Sequence, residues 1–189
     1  ASGQSNMAFT MKSTGGYSDL IAESNYPSLR MFNAPTVTAS EPQEDIAGQW
    51  SVCVPETVPG YSAVAFFFAR KLHQELGVPV GVIKSAWGGK PVETFTSRNA
   101  LRTLPGTNVL VDAVMAAEKS YDPAKAMVAH QARLDQWEAA MAERRNTPAD
   151  QRSRAPRKPA VPKRPLNTEG KPGVLFDSMI HPFAGYSMR

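Results

Sequence analysis

A single cysteine, Cys53, rules out an internal disulfide, and one thiol fits a reducing or an oxidising compartment equally well. No run approaches the roughly 18 consecutive apolar residues that would span a bilayer, so a membrane partner is not expected. The first residues also lack the basic and apolar layout of a signal peptide. No stretch repeats, which excludes a solenoid. The charge is unevenly spread. Between Met141 and Lys171 nine Lys or Arg stand against three acids, a net of +6, while the whole chain carries +4 and the remainder is therefore at −2. No aromatic side chain is interleaved with these cations, so nucleic acid is not an expected partner either.

What is present suits a globular protein: 189 residues, of which 42% are hydrophobic, suffice for one domain with its own core. Ser5 to Met11 can open a helix, Ser13 to Ser18 reads as a polar loop, and Leu29–Asn33 as a short strand. From Ala34 to Gly60, four prolines and two glycines predict loop and short extended pieces packed by Trp50 and Val54, with Cys53 a small buried residue. Tyr61 to Leu76 carries Val64, Phe67, Phe68 and Leu72 at helical spacing, with Gly77 placed as a C-terminal cap. Val78–Lys84 is a β-branched run expected to form a strand buried on both faces of a parallel sheet. Asp122-Pro123 reads as an N-cap followed by proline at the first helical position. It predicts a helix through about Arg145, with Met127, Leu134, Trp137 and Met141 on one stripe. Asn146 to Pro172, rich in Pro, Arg and Lys, is expected to be an extended, mobile excursion, with regular structure resuming at Val174.

Two segments carry candidate chemistry. Gly3-Gln4-Ser5-Asn6-Met7 can supply a tight turn that exposes a serine, although it lacks the second glycine of the nucleophile elbow. Ser85-Ala86-Trp87-Gly88-Gly89-Lys90-Pro91-Val92-Glu93 follows the buried strand directly, at the carboxyl end where parallel α/β sheets bind ligands. A glycine pair there lets backbone amides turn toward a developing oxyanion.

Together with Tyr61–Arg70, Gly77–Ile83 and Phe176-Asp177-Ser178-Met179-Ile180-His181-Pro182, these blocks resemble the sialate O-acetylesterase family of SGNH hydrolases in content and order. Leu101 to Pro172 is the least distinctive part. The resemblance implies a flavodoxin-like three-layer α/β/α domain over 1–189, incomplete at both ends, with 101–172 as an insertion made of a long helix and a mobile basic segment. It implies removal of acetyl groups from sugar hydroxyls through an acyl-serine, with no cofactor and no metal, the partner being an acetylated carbohydrate. Ser5 corresponds to the nucleophile, and Gly88 or Gly89 to a second oxyanion donor beside the Ser5 amide. Gln4, Asn6 and Glu93 are candidate substrate-binding residues, with Asn6 better suited to bracing the turn and Glu93 either orienting the site or starting the next helix.

The family pattern continues, after the Met-Ile-His-Pro block, with a Trp-Tyr-Gln-Gly-Glu-type segment and a later Asp-x-x-His pair, and neither occurs in these 189 residues. Both are expected downstream of Arg189, and sequence upstream of Ala1 is expected to hold the preceding strand and any signal. Of the three histidines, His73 and His130 read as surface residues. His181, four residues after Asp177, belongs to a block that is not the family's catalytic pair. Two functions follow as alternatives: an exported esterase, periplasmic or secreted, or a non-catalytic carbohydrate-binding relic without its base. Oligomeric state is not legible.

Overall fold

Four strands form one sheet in the order β1-β4-β2-β3: β1 Ser2–Gly3, β2 Tyr26–Asn33, β3 Trp50–Cys53 and β4 Val80–Ala86. The structure, a computed structural model, describes residues 1–186. β4 runs parallel to both neighbours, with Gly3 opposite Ala86 and Met31 opposite Val82, while β3 closes the β2 edge in antiparallel fashion. Because strand side chains alternate, Leu29, Met31 and Val82 share one face and Phe32 and Ile83 the other. Helix α3, Ala63–Leu76, covers the first face together with residues of α2, Ser18–Glu23. The second face is covered by the turns after Val174: Phe183 packs on Phe32, and Ser85 Oγ donates to the Met179 carbonyl at 2.8 Å. This is a mixed α/β fold with helical structure on both sides of a central sheet.

Several expectations change in detail. β2 begins at Tyr26 rather than Leu29, and its register against β3 shifts between Tyr26 and Arg30, where Pro27 cannot donate to a ladder. β4 is not buried on both faces: Val82, Ser85 and Ala86 are buried, Gly81 is exposed and Ile83 is half-buried. The two-residue β1 flanks only the Ser85–Ala86 end, which leaves the other half of that edge uncovered. Trp50 is 44% exposed, lying over Phe32 rather than filling the loop.

Helix α3 starts at Ser62, whose hydroxyl accepts the Ala65 N–H, and stops at Gly77, where φ of +64° fits the expected left-handed cap. Its buried face differs from the expected one. Ala63, Ala65, Phe66 and Ala69 meet the sheet, whereas Val64 and Phe68 are exposed. The alanines let the helix axis approach closely, and Phe66, with partly buried Phe67 beside it, fills the gap.

After β4 the chain forms α4, Arg98–Thr103, α5, Asn108–Lys119, and α6, Pro123–Asn146. Asp122 caps α6 by accepting the Ala124 and Lys125 N–H groups, as its position before Pro123 predicts. The expected stripe is half-buried at Leu134, Trp137 and Met141, but His130, not Met127, is its buried member. His130 is therefore not the surface residue expected. Beyond Asn146 the chain is extended, and it lies along α6: Trp137 Nε1 donates to the Pro156 carbonyl at 2.9 Å. We refer to α5, α6 and this return segment as the arm.

Candidate active site

Ser5 opens α1, Ser5–Ala8, directly after β1. The strand-to-helix turn depends on Gly3, whose φ of +139° suits glycine alone and where a Cβ would lie 3.1 Å from Met7 Cγ. The Met7 and Ala8 amides both return to the Gln4 carbonyl, which closes the turn and leaves Gln4, Ser5 and Asn6 exposed. The Trp87 N–H donates to the Gly3 carbonyl at 3.0 Å, extending the β1–β4 ladder to the brink of both motifs.

The second motif then passes against the first. A Cβ built on Gly88 would sit 3.5 Å from both Cα and Cβ of Ser5, in ordinary van der Waals contact, so the two motifs lie side by side. Gly89 takes φ of +71° with open space around it. Among the described residues no intramolecular acceptor takes the N–H of Ser5, Asn6, Gly88 or Gly89. Free donors beside an exposed hydroxyl form an arrangement that can stabilise an oxyanion built on the serine.

Glu93 is placed elsewhere. It lies on the 3-10 turn Val92–Phe95, its carbonyl accepts the Gly173 N–H at 3.0 Å, and it lines a cleft of about 230 Å³ with Leu110, Val114 and Lys171. Nor does any histidine hydrogen-bond to Ser5 among the described residues. His73 Nδ1 lies 2.7 Å from the Val78 carbonyl, His130 is buried with Nδ1 unpartnered, and His181 Nδ1 lies 3.0 Å from the Gln43 carbonyl. Asp177 does not serve His181 as a triad acid, because it is ion-paired with Arg98. Burial pushes the Asp177 carboxyl above the usual range, against the Arg98 charge and hydrogen bond, which pull it down.

Arg98 is a residue that sequence reasoning missed. Its guanidinium bonds Asp177, the Ser40 carbonyl at 2.6 Å and the Pro172 carbonyl at 3.3 Å, so it ties α4 to the Ser40 loop and to the segment from Pro172 to Asp177. One arginine among many in the chain gave no signal of this. An apolar groove of about 600 Å³, lined by Met7, Trp50, Phe68 and Ile83 among others, adjoins α1 but excludes Ser5. It has few groups with which to bond sugar hydroxyls.

No family model matches the chain. It is 28% identical to the sialate O-acetylesterase of Rattus norvegicus over its whole length, covering 32% of that protein. It is 34% identical to the sialate O-acetylesterase of Homo sapiens over 110 residues, which are 53% of this chain and 21% of that one. The chain is thus similar to part of the sialate O-acetylesterases. It spans about a third or less of the length of these relatives. Its fold also matches that of a carbohydrate acetylesterase from Xanthomonas citri, with a TM-score of 0.58 and 22% identity, over 96% of this chain and 28% of that one.

Proposed function

We propose that this chain carries the nucleophile and part of the oxyanion site of a carbohydrate O-acetyl esterase. The observation that carries the reading is the approach of Gly88 to Ser5, with unpartnered amides on both segments. The relatives named as sialate O-acetylesterases and the carbohydrate acetylesterase neighbour support acetylated sugar as the substrate class.

In this reading Ser5 Oγ attacks the acetyl carbonyl and gives up its proton to a histidine base. The carbonyl oxygen becomes an oxyanion held by the Ser5 amide and that of Gly88 or Gly89. Collapse breaks the bond to the sugar oxygen, which takes the proton and leaves. Water then adds to the acetyl-serine, acetate departs, and Ser5 regains its proton. In this reading Gln4 and Asn6, which are exposed beside Ser5, touch the sugar. Glu93 is the weaker candidate, because its side chain lines the cleft at the arm. No metal or other cofactor has a part in these steps.

The described residues do not supply the base, and the second reading is sugar binding without hydrolysis. Acetate release from an acetylated sugar by the protein containing this chain separates the two. We expect Ser5→Ala to lower that release by about 10⁴-fold or more. Full activity in a clean Ser5→Ala preparation would overturn the esterase reading. Binding of the sugar with no acetate release by the parent protein would establish the other. Among the described residues no helix is long and apolar enough to cross a membrane. Polymeric acetylated glycans lie outside the cell, which is the basis for proposing action in the periplasm or beyond it.

A further inference from the structure

The cations of the arm are ordered by the fold around a cleft. An extended chain rises about twice as far per residue as a helix, so the return from Asn146 to Arg164 retraces α6 in fewer residues. It is tied along the way: Arg152 Nε donates to the Thr147 carbonyl at 2.9 Å, Trp137 Nε1 to Pro156, and Arg164 Nε to Glu118 on α5 at 2.5 Å. The turn of this hairpin encloses a cleft of about 360 Å³ whose lining includes Arg144, Arg152, Arg154, Thr147, Gln151 and Ser153.

Arg144 and Arg152 reach backbone carbonyls across the turn, which orients their guanidinium groups, and Glu143 is the single carboxylate in the lining against the three arginines Arg144, Arg152 and Arg154. None of Arg144, Arg145, Arg152, Arg154, Arg157 and Lys158 pairs with a carboxylate among the described residues. The cleft thus offers forked cations beside hydroxyl and amide groups, a combination that suits carboxylates carried on a hydroxylated polymer. It does not suit stacked bases, because Trp137, the one aromatic nearby, has Lys158 5.4 Å above its ring and its N–H bonded to Pro156. The neck of the arm also meets the candidate site: Lys90, which follows Gly88-Gly89, lies 3.9 Å from Glu169, and Glu169 lies 3.7 Å from Lys163.

We propose that the turn of the arm is a binding surface for a carboxylate-bearing polysaccharide. This rests on the carbohydrate reading above. It adds that the polymer is anionic and is gripped roughly 36 Å along α6 from the neck, the length of a 24-residue helix.

The test is titration of the chain with polygalacturonate, with neutral xylan and with a duplex oligonucleotide. Polygalacturonate should bind and weaken by at least about tenfold between about 50 and 200 mM salt, while xylan does not bind. Replacing Arg145→Glu, Arg154→Glu and Arg157→Glu together, all exposed and free of internal hydrogen bonds, should weaken polygalacturonate at least about tenfold with thermal unfolding unchanged. The milder Arg145→Gln, Arg154→Gln, Arg157→Gln protein should fall between. Equal binding of xylan, indifference to both triple variants, or tighter binding of the oligonucleotide would each overturn the proposal. Ser5→Ala should bind polygalacturonate like the parent, so loss of the esterase reading leaves this outcome readable by itself.

Discussion

The sheet body and the arm are built on opposite principles. In the body, fully buried Phe66, Met31 and Leu29 interlock between α3 and the sheet, and each backbone segment is held by neighbours distant in sequence. In the arm, Val111 and Val114 of α5 and His130 of α6 are the buried side chains of the two long helices, and the return segment is held mainly by side chains grasping carbonyls. Apolar packing fixes geometry to fractions of an ångström, whereas single hydrogen bonds on an exposed surface contribute little each. The candidate site sits on the part that can hold it still, and the charged surface on the part that can yield.

That contrast can be broken most forcefully in the body. Phe66→Ala should cost about 3–5 kcal/mol in a denaturant melt, since nothing nearby can refill the space. Arg98→Met should cost about 3–5 kcal/mol at neutral pH by stranding Asp177, whose side chain is only 4% exposed. The pH dependence gives a sharper reading. Burial already raises Asp177, and without Arg98 nothing comparable pulls it down, so its folded value rises further above the unfolded one. A raised acid contributes stability below its unfolded pKa and loses it as pH climbs through the folded value. The Arg98→Met protein should therefore melt higher near pH 4 than near pH 8 relative to its parent. The opposite trend would mean that Asp177 is charged without its partner.

Smaller effects test the boundary between the two regions. Gly3→Ala should cost about 1–3 kcal/mol, because φ of +139° is strained for alanine and the new Cβ meets Met7. Burial pushes the Cys53 thiol up to about 11, and native protein at pH 8 should react with a thiol reagent at least about a hundredfold more slowly than unfolded protein. Trp137→Ala should leave the body's unfolding within about 0.5 kcal/mol while speeding proteolysis in the return segment. Val64→Ser with Phe68→Ser, on the exposed side of α3, should move stability of the described chain by about 0.5 kcal/mol or less, against several for Phe66 on the opposite face.

What could be read from the amino acids follows the same division. Gly77 after an apolar period announced the end of α3, and the run Val78–Lys84 announced β4, which spans Val80–Ala86, because both signals are local. Which face of α3 is buried was not local: the larger Val64 and Phe68 outrank Ala65 and Ala69 in hydrophobicity, yet close helix–sheet contact selects the smaller pair. β3 was hidden among prolines, and α2, with six residues, is too short to show a period. At the candidate site, the glycines and Ser5 stood out through their motifs, and the meeting of Gly88 with Ser5 needed the β1–β4 pairing to appear. His130 looked like a surface residue because it lies on the long helix α6 and is not one of the apolar stripe residues Met127, Leu134, Trp137 and Met141. In the folded chain it is the buried residue of that helix.

Where the excursion leaves and rejoins the body, Arg98 touches Pro172 and Asp177, and a Cβ on Gly173 would collide with the Arg98 side chain at 2.7 Å. Departure and arrival therefore meet within the reach of one side chain. Such a seam works as a splice point, through which evolution or a protein engineer can exchange the arm for one of another length or charge while the serine-bearing sheet keeps its own register.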